Sequence, residues 1–247
     1  QEADEDRAAY YDRAVSRLGW CIKNFGGYQK KIMRDVFFEA FETYETGCAP
    51  VIQELARGVA PERQTPLLGR AAAAMLDELE AGVQKKGDME DEKIVLAIFF
   101  VPMVRKQQLP ISEEFVTILQ KQWVERYPKS PFYLGDYESI SGGFRKKFLG
   151  LCFITTAVCQ ELGKPDDCEE LTAFRAFRDG YLRSQPDGEA LIREYYNIAP
   201  GIVTCINTCS DRHASYARIR EEYLAPCYQD LLAGRNESCK ARYVRMV

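Results

Sequence analysis

The side chains with the most chemistry to offer are nine cysteines and a single histidine, His213. Seven of the cysteines (Cys152, Cys159, Cys168, Cys205, Cys209, Cys227 and Cys239) lie at or after position 152, so thiol or metal chemistry belongs to the second half of the chain. An odd total cannot pair completely within one chain, and in a reducing compartment the default is free thiols packed as small hydrophobes. Cys205, Cys209 and His213 stand at i, i+4 and i+8, one stripe of a continuous helix. Thiolate and imidazole are good zinc ligands, and such a site wants four ligands or three plus water. Cys152, Cys159 or Cys168 would complete it across the fold. The two ends of the stripe, however, lie about 12 Å apart along the axis at about 1.5 Å rise per residue. One ion reaches both only across a helix break, which Ser210-Asp211 would supply.

A Cys–His nucleophile pair is the second possibility. His213 is the one available base for Cys152, with Asp179, Asp211 or Asn207 to orient it. A reactive thiol needs a nearby cation or a helix N-terminus to lower its pKa, and Arg145, Lys146 and Lys147 precede Cys152. Against that stands the reading of Cys152 and Cys159, seven residues apart, as two core thiols of a helix that is apolar nearly all round.

Anion recognition is the third. Leu171, Phe174, Arg178 and Tyr181 share one three-four stripe, which sets a guanidinium where the pattern asks for an apolar side chain. A buried arginine needs a carboxylate or an anionic ligand to offset its desolvation, and Asp179, Glu189 and Glu194 are close in sequence. Arg175 and Asp179 also make an i,i+4 pair. Gly142-Gly143 ahead of Arg145 and Lys146 would hold an anion if a helix starts there. Tyr195 and Tyr196, near Pro200, either line a pocket or pack in a core.

The elements that must position these residues are helical. Three-four spacing of apolar residues runs through 6–24, 32–46, 67–86, 91–106, 112–126, 144–162, 166–183 and 189–209, shorter helical pieces are expected at 51–57, 211–223 and 226–232, and no segment alternates with the period of a strand. Pro50 is expected to end the second of these segments and Pro200 to punctuate 189–209. Tyr127–Gly143 is dense in proline and glycine and reads as a connector. The expected architecture is all-α with about ten helices: an N-terminal bundle over 1–127, a connector over 128–143, and a cysteine-rich C-terminal bundle over 144–247 packed against the first.

Three blocks in the second half carry a resemblance: CFITTAVC from Cys152, DDCEELTAFRAFRDGYL from Asp166 and EALIREYYNIAPGIV from Glu189. Together they resemble the CFI-box C-terminal domain family over roughly Leu149–Ile206. The resemblance implies a domain identity and no reaction. Many members have another residue where this chain has Cys159.

Composition excludes several classes. With 46% hydrophobic and 28% charged residues the chain is that of a globular protein, and its net charge of −4 gives no basic footprint for nucleic acid. The longest apolar run, Ile94–Val104, is too short to span a membrane. Residues 1–19 are acidic and polar with no apolar export signal, so the expected location is cytoplasmic. No Gly-x-Ser-x-Gly, His-Glu-x-x-His or Gly-x-Gly-x-x-Gly motif occurs. The leading expectation is a helical binding or interaction protein for a protein or small anionic ligand. The rival is a thiol-dependent or metal-binding enzyme centred on Cys152.

Overall fold

A computed structural model describes residues 2–82, 86–145 and 152–247. Among these residues the fold is all-α, with no strand, as the apolar periodicity predicts. The chain divides into two compact units. The first holds Gln1–Ile32, Val36–Gly142 and Thr208–Ser210; the second holds Met33–Asp35, Gly143–Asn207 and Asp211–Val247.

In the first unit, α1 (Glu2–Leu18) lies along α3 (Phe37–Gly58), and α4 (Gln64–Gly82) packs on α7 (Ser112–Arg126). The short α2 (Trp20–Lys23) links the first two. A Cβ on Gly58 would stand 2.4 Å from the backbone nitrogen of Tyr11, so only glycine permits this crossing of α1 and α3. The helix α5 (Lys86–Val95) passes through a π turn, Leu96–Phe100, into α6 (Val101–Lys106). That turn is fully buried, and Phe99 on it touches the rings of Tyr28, Phe37, Phe41 and Tyr44. Pro50 sits inside α3 and does not end it: the helix loses one backbone bond there but keeps its buried face, Tyr44, Cys48, Val51, Ile52 and Leu55.

The connector is irregular only as far as Asp136. Phe132 is fully buried against Trp123, whose Nε1 donates to the Ser130 carbonyl at 2.7 Å. From Tyr137 the chain is helical to Arg145 (α8), because the Asp136 carboxylate accepts from the backbone and hydroxyl of Ser139. Those bonds also hold the Asp136 carboxyl below the ordinary carboxylate range.

The second unit contains α9 (Phe153–Glu161), α10 (Glu169–Ala176), α12 (Arg212–Ile219), α13 (Ala225–Leu232) and α14 (Asn236–Met246), with most of α11 (Gly188–Cys209). Helix α10 runs on through a π turn, Phe177–Tyr181, and a short 3-10 turn, Leu182–Ser184. A second π turn, Arg220–Leu224, joins α12 to α13. Its core gathers Cys152, Val158, Cys159, Leu171, Phe174, Phe177, Leu182, Ile192, Tyr216, Leu224, Cys227 and Cys239. Helix α11 continues through Pro200, and the Thr204 hydroxyl donates to the Pro200 carbonyl at 2.8 Å. The break comes at Ser210, after which Asp211 caps α12 by accepting from Ala214.

Candidate functional site

The expected single helix over 144–162 is not continuous. Phe144 and Arg145 close α8, and Cys152 precedes α9 with φ −103° and ψ 86°, its carbonyl accepting from the Thr156 amide. Lys146 and Lys147 lie outside the described residues. An apolar run is buried whether or not it is helical throughout, so its pattern carried no mark of the break. The same result moves the helix start from Phe144 to Tyr137, which puts Gly142 and Gly143 inside α8. Their amides are not a helix N-terminus, and the anion cradle expected at Gly142-Gly143 with Arg145 and Lys146 loses its basis; Arg145 is exposed at the end of α8.

Arg178 is buried, as its place in the stripe predicts, with Leu171 and Phe174 beside it. The π turn carries both Phe177 and Arg178 on its buried side. The guanidinium finds its counter-charge next door. Nε donates to Asp179 Oδ1 at 2.8 Å and Nη2 to Oδ2 at 2.6 Å, a bidentate pair. Nη1 donates to the Tyr196 hydroxyl at 3.0 Å and faces Cys152 Sγ at 3.7 Å. The other carboxylates are engaged differently: Glu189 pairs with Arg183, and Glu194 is exposed at the cavity described below. Arg175 does not pair with Asp179; it bonds the carboxylate and carbonyl of Asp166. Arg178 holds the Asp179 carboxyl below the usual range, and Asp179 in turn raises the guanidinium pKa further.

Behind this pair is a cavity of about 170 Å³. Phe174 of α10, Phe177 of the π turn, Ile192 and Ile198 of α11 and Val244 of α14 supply much of an apolar wall. Cys152, Arg178, Glu194, Tyr195 and Tyr243 bring the polar atoms. Tyr195 is tied in place: its hydroxyl accepts from the Ile154 amide at 3.0 Å and lies 3.4 Å from the Tyr243 hydroxyl. The Tyr243 hydroxyl is also 3.2 Å from that of Thr155. Burial pushes the phenol pKa values of Tyr195, Tyr196 and Tyr243 up, so all three stay neutral hydrogen-bonding groups.

Burial also raises the Cys152 thiol pKa, and Arg178 and Arg175 counter it only in part. Cys152 is therefore a neutral thiol near pH 7, with little of the thiolate that nucleophilic chemistry needs. His213 is not among the residues lining this cavity. It sits on α12 with its side chain 80% exposed, Nδ1 3.4 Å from Glu161. Cys205 is on α11 with its thiol pushed up to about 12 by burial, and Cys209 is the last residue of that helix. No group of three or more His, Cys, Asp or Glu able to hold a metal occurs among the described residues.

Tyr243, Val244 and Phe177 are site residues that the sequence reading did not single out. Phe177 offered only its adjacency to Arg178, and α14 carries no signal linking it to a segment some fifty residues away. Comparison with known proteins adds no relative: no family model, no curated protein and no solved structure matches this chain.

Proposed function

We propose that this protein is a non-catalytic helical binding protein whose C-terminal unit takes a small, mainly apolar ligand in the cavity beside Cys152 and Arg178. The observation that carries the reading is an apolar cavity whose one interior cation is already matched by its own carboxylate, Asp179. The remaining charge at the cavity, Glu194, is exposed to solvent, so shape and apolar area select the ligand. The neutral hydroxyls of Tyr195 and Tyr243 supply orientation. An apolar cavity of about 150 Å³ holds a single benzene ring, which sets the scale at one ring or a short alkyl chain. The resemblance of 149–206 to the CFI-box family falls on the segment that supplies Cys152, Arg178 and Tyr195. The unpaired cysteines fit a reducing compartment, in keeping with a cytoplasmic protein.

The test is a titration of isoleucine-methyl-labelled protein with indole, benzene and benzoate, followed by NMR. Saturable shifts at Ile192 and Ile198 with the neutral probes, abolished by the cavity-filling variant Ile192→Trp, are expected. No saturable shift with either neutral probe would overturn the reading. Binding of benzoate alone, lost in Arg178→Met, would replace it with anion recognition. Fast alkylation of native Cys152 by iodoacetamide would point to thiol chemistry instead.

A further inference from the structure

The free thiols of this chain come largely in close pairs. The Cys48 thiol donates to the Cys21 carbonyl at 3.9 Å and the Cys227 thiol to the Cys239 carbonyl at 3.7 Å, and all four residues are fully buried. The third pair differs. Cys159 Sγ and Cys168 Sγ are 3.8 Å apart, and Cys168 is partly exposed. Cys159 is near the end of α9 and Cys168 is the residue that precedes α10, its φ and ψ of −60° and 154° placing it at the N-cap. Lys164 and Glu170 flank the pair: Lys164 Nζ bonds Glu170 Oε2 at 2.7 Å, and the same oxygen is 3.9 Å from Cys159 Sγ.

A disulfide needs its sulfurs at about 2.05 Å, so closure asks the two to approach by less than about 2 Å, within reach of side-chain rotation at the ends of two helices. The segment between them turns at Gly163, whose φ of +68° is the left-handed region that suits glycine, and it is mostly exposed. Solvent access thus separates this pair from the other two. We propose that Cys159 and Cys168 are a peroxide-sensitive dithiol that closes to an intramolecular disulfide, a modification site at the junction of α9 and α10.

The chemistry balances with a hydroperoxide as oxidant. The Cys168 sulfur, having lost its proton, attacks one peroxide oxygen; the O–O bond breaks, and the departing oxygen leaves as water or alcohol with that proton. Cys168 is then a sulfenic acid. The Cys159 sulfur attacks the Cys168 sulfur, the S–O bond breaks, and the hydroxide leaves as water with the Cys159 proton. The two thiols lose two electrons and two protons in all, and the peroxide is reduced. The inference does not depend on what occupies the cavity.

Reduced full-length protein treated with hydrogen peroxide, then digested without reductant by a protease cutting after Glu161, tests it. The expected first product is a Cys159–Cys168 crosslinked peptide, with two thiols lost per chain and both restored by dithiothreitol. Cys168→Ser abolishes the crosslink and Cys227→Ser retains it, with circular dichroism confirming the fold of each. Should Cys168→Ser fail to fold, the wild-type crosslink map decides. Absence of the crosslink, its formation after another pair's, or accumulation of Cys168 sulfinic acid in its place overturns the proposal.

Discussion

Replacing Asp179 by alanine leaves the Arg178 guanidinium buried without its carboxylate. Two charge-assisted bonds disappear, at 2.8 and 2.6 Å, while the bond to Tyr196 remains. Removing one partner of a fully buried pair costs about 3–5 kcal/mol, and exposed pairs contribute less than about 1 kcal/mol. This pair is mixed: the Arg178 side chain is 10% exposed and that of Asp179 48%. Water reaching the carboxylate screens it, which places the loss between those limits, at about 1–2 kcal/mol. For a chain of this length that lowers the thermal midpoint by about 2–8 °C. The loss also has a pH signature. Because Arg178 depresses the Asp179 pKa in the folded state, the stabilisation is fully present above the unfolded value of about 3.9. It is lost as the pH falls through the lower, folded value. Wild type and Asp179→Ala should therefore differ by a constant amount from about pH 5 upward and converge in strong acid. In an Arg178→Met background the same substitution should cost about 0.5 kcal/mol or less, a coupling of about 1 kcal/mol. Chemical denaturation of the four proteins across pH measures all of this. Equal losses in both backgrounds, or a gap that persists in acid, would refute the pairing as the source of the effect.

Two further outcomes concern the first unit. Burial raises the Glu92 carboxyl pKa to about 7, and its Oε2 has no hydrogen-bond partner among the described residues. The unfolded chain ionises first as the pH climbs, so wild type should lose stability between about pH 4.3 and 7. Glu92→Gln should remove that loss, making the variant the more stable protein at pH 8 and its equal near pH 4; parallel urea curves for the two proteins at all pH values would exclude this. Tyr44→Phe deletes a buried hydroxyl that donates to the Cys21 carbonyl at 2.8 Å. Its urea midpoint should fall by the equivalent of about 1 kcal/mol, since the Cys48 thiol, 3.9 Å from that carbonyl, is a weak substitute; an unchanged midpoint would show that the bond contributes nothing net.

Much of this molecule is written locally. The helical class follows from three-four spacing, which any single helix displays to the reader whatever its neighbours do. The misfit of Arg178 in an apolar stripe was legible for the same reason, and it announced a buried guanidinium needing an acid. Asp211 as a helix break was visible from its type and position.

What the spacing left open depends on contacts between segments distant in sequence, or on local geometry that a regular period does not encode. Which acid meets each arginine was not legible: Arg178 pairs with its neighbour Asp179 on the π turn, and Arg175 with Asp166. Pro50, expected to end its helix, did not stop it because a buried face outweighs one lost backbone bond, and α11 runs on through Pro200 as expected. The break expected at Ser210-Asp211 between Cys209 and His213 is present, but where the far side of it leads was not legible: His213 meets Glu161. The cavity needs α14 beside α10 and α11, and the thiol pair needs the end of α9 beside the start of α10. Those meetings are products of packing, and a linear chain records the residues that take part in them without recording that they meet.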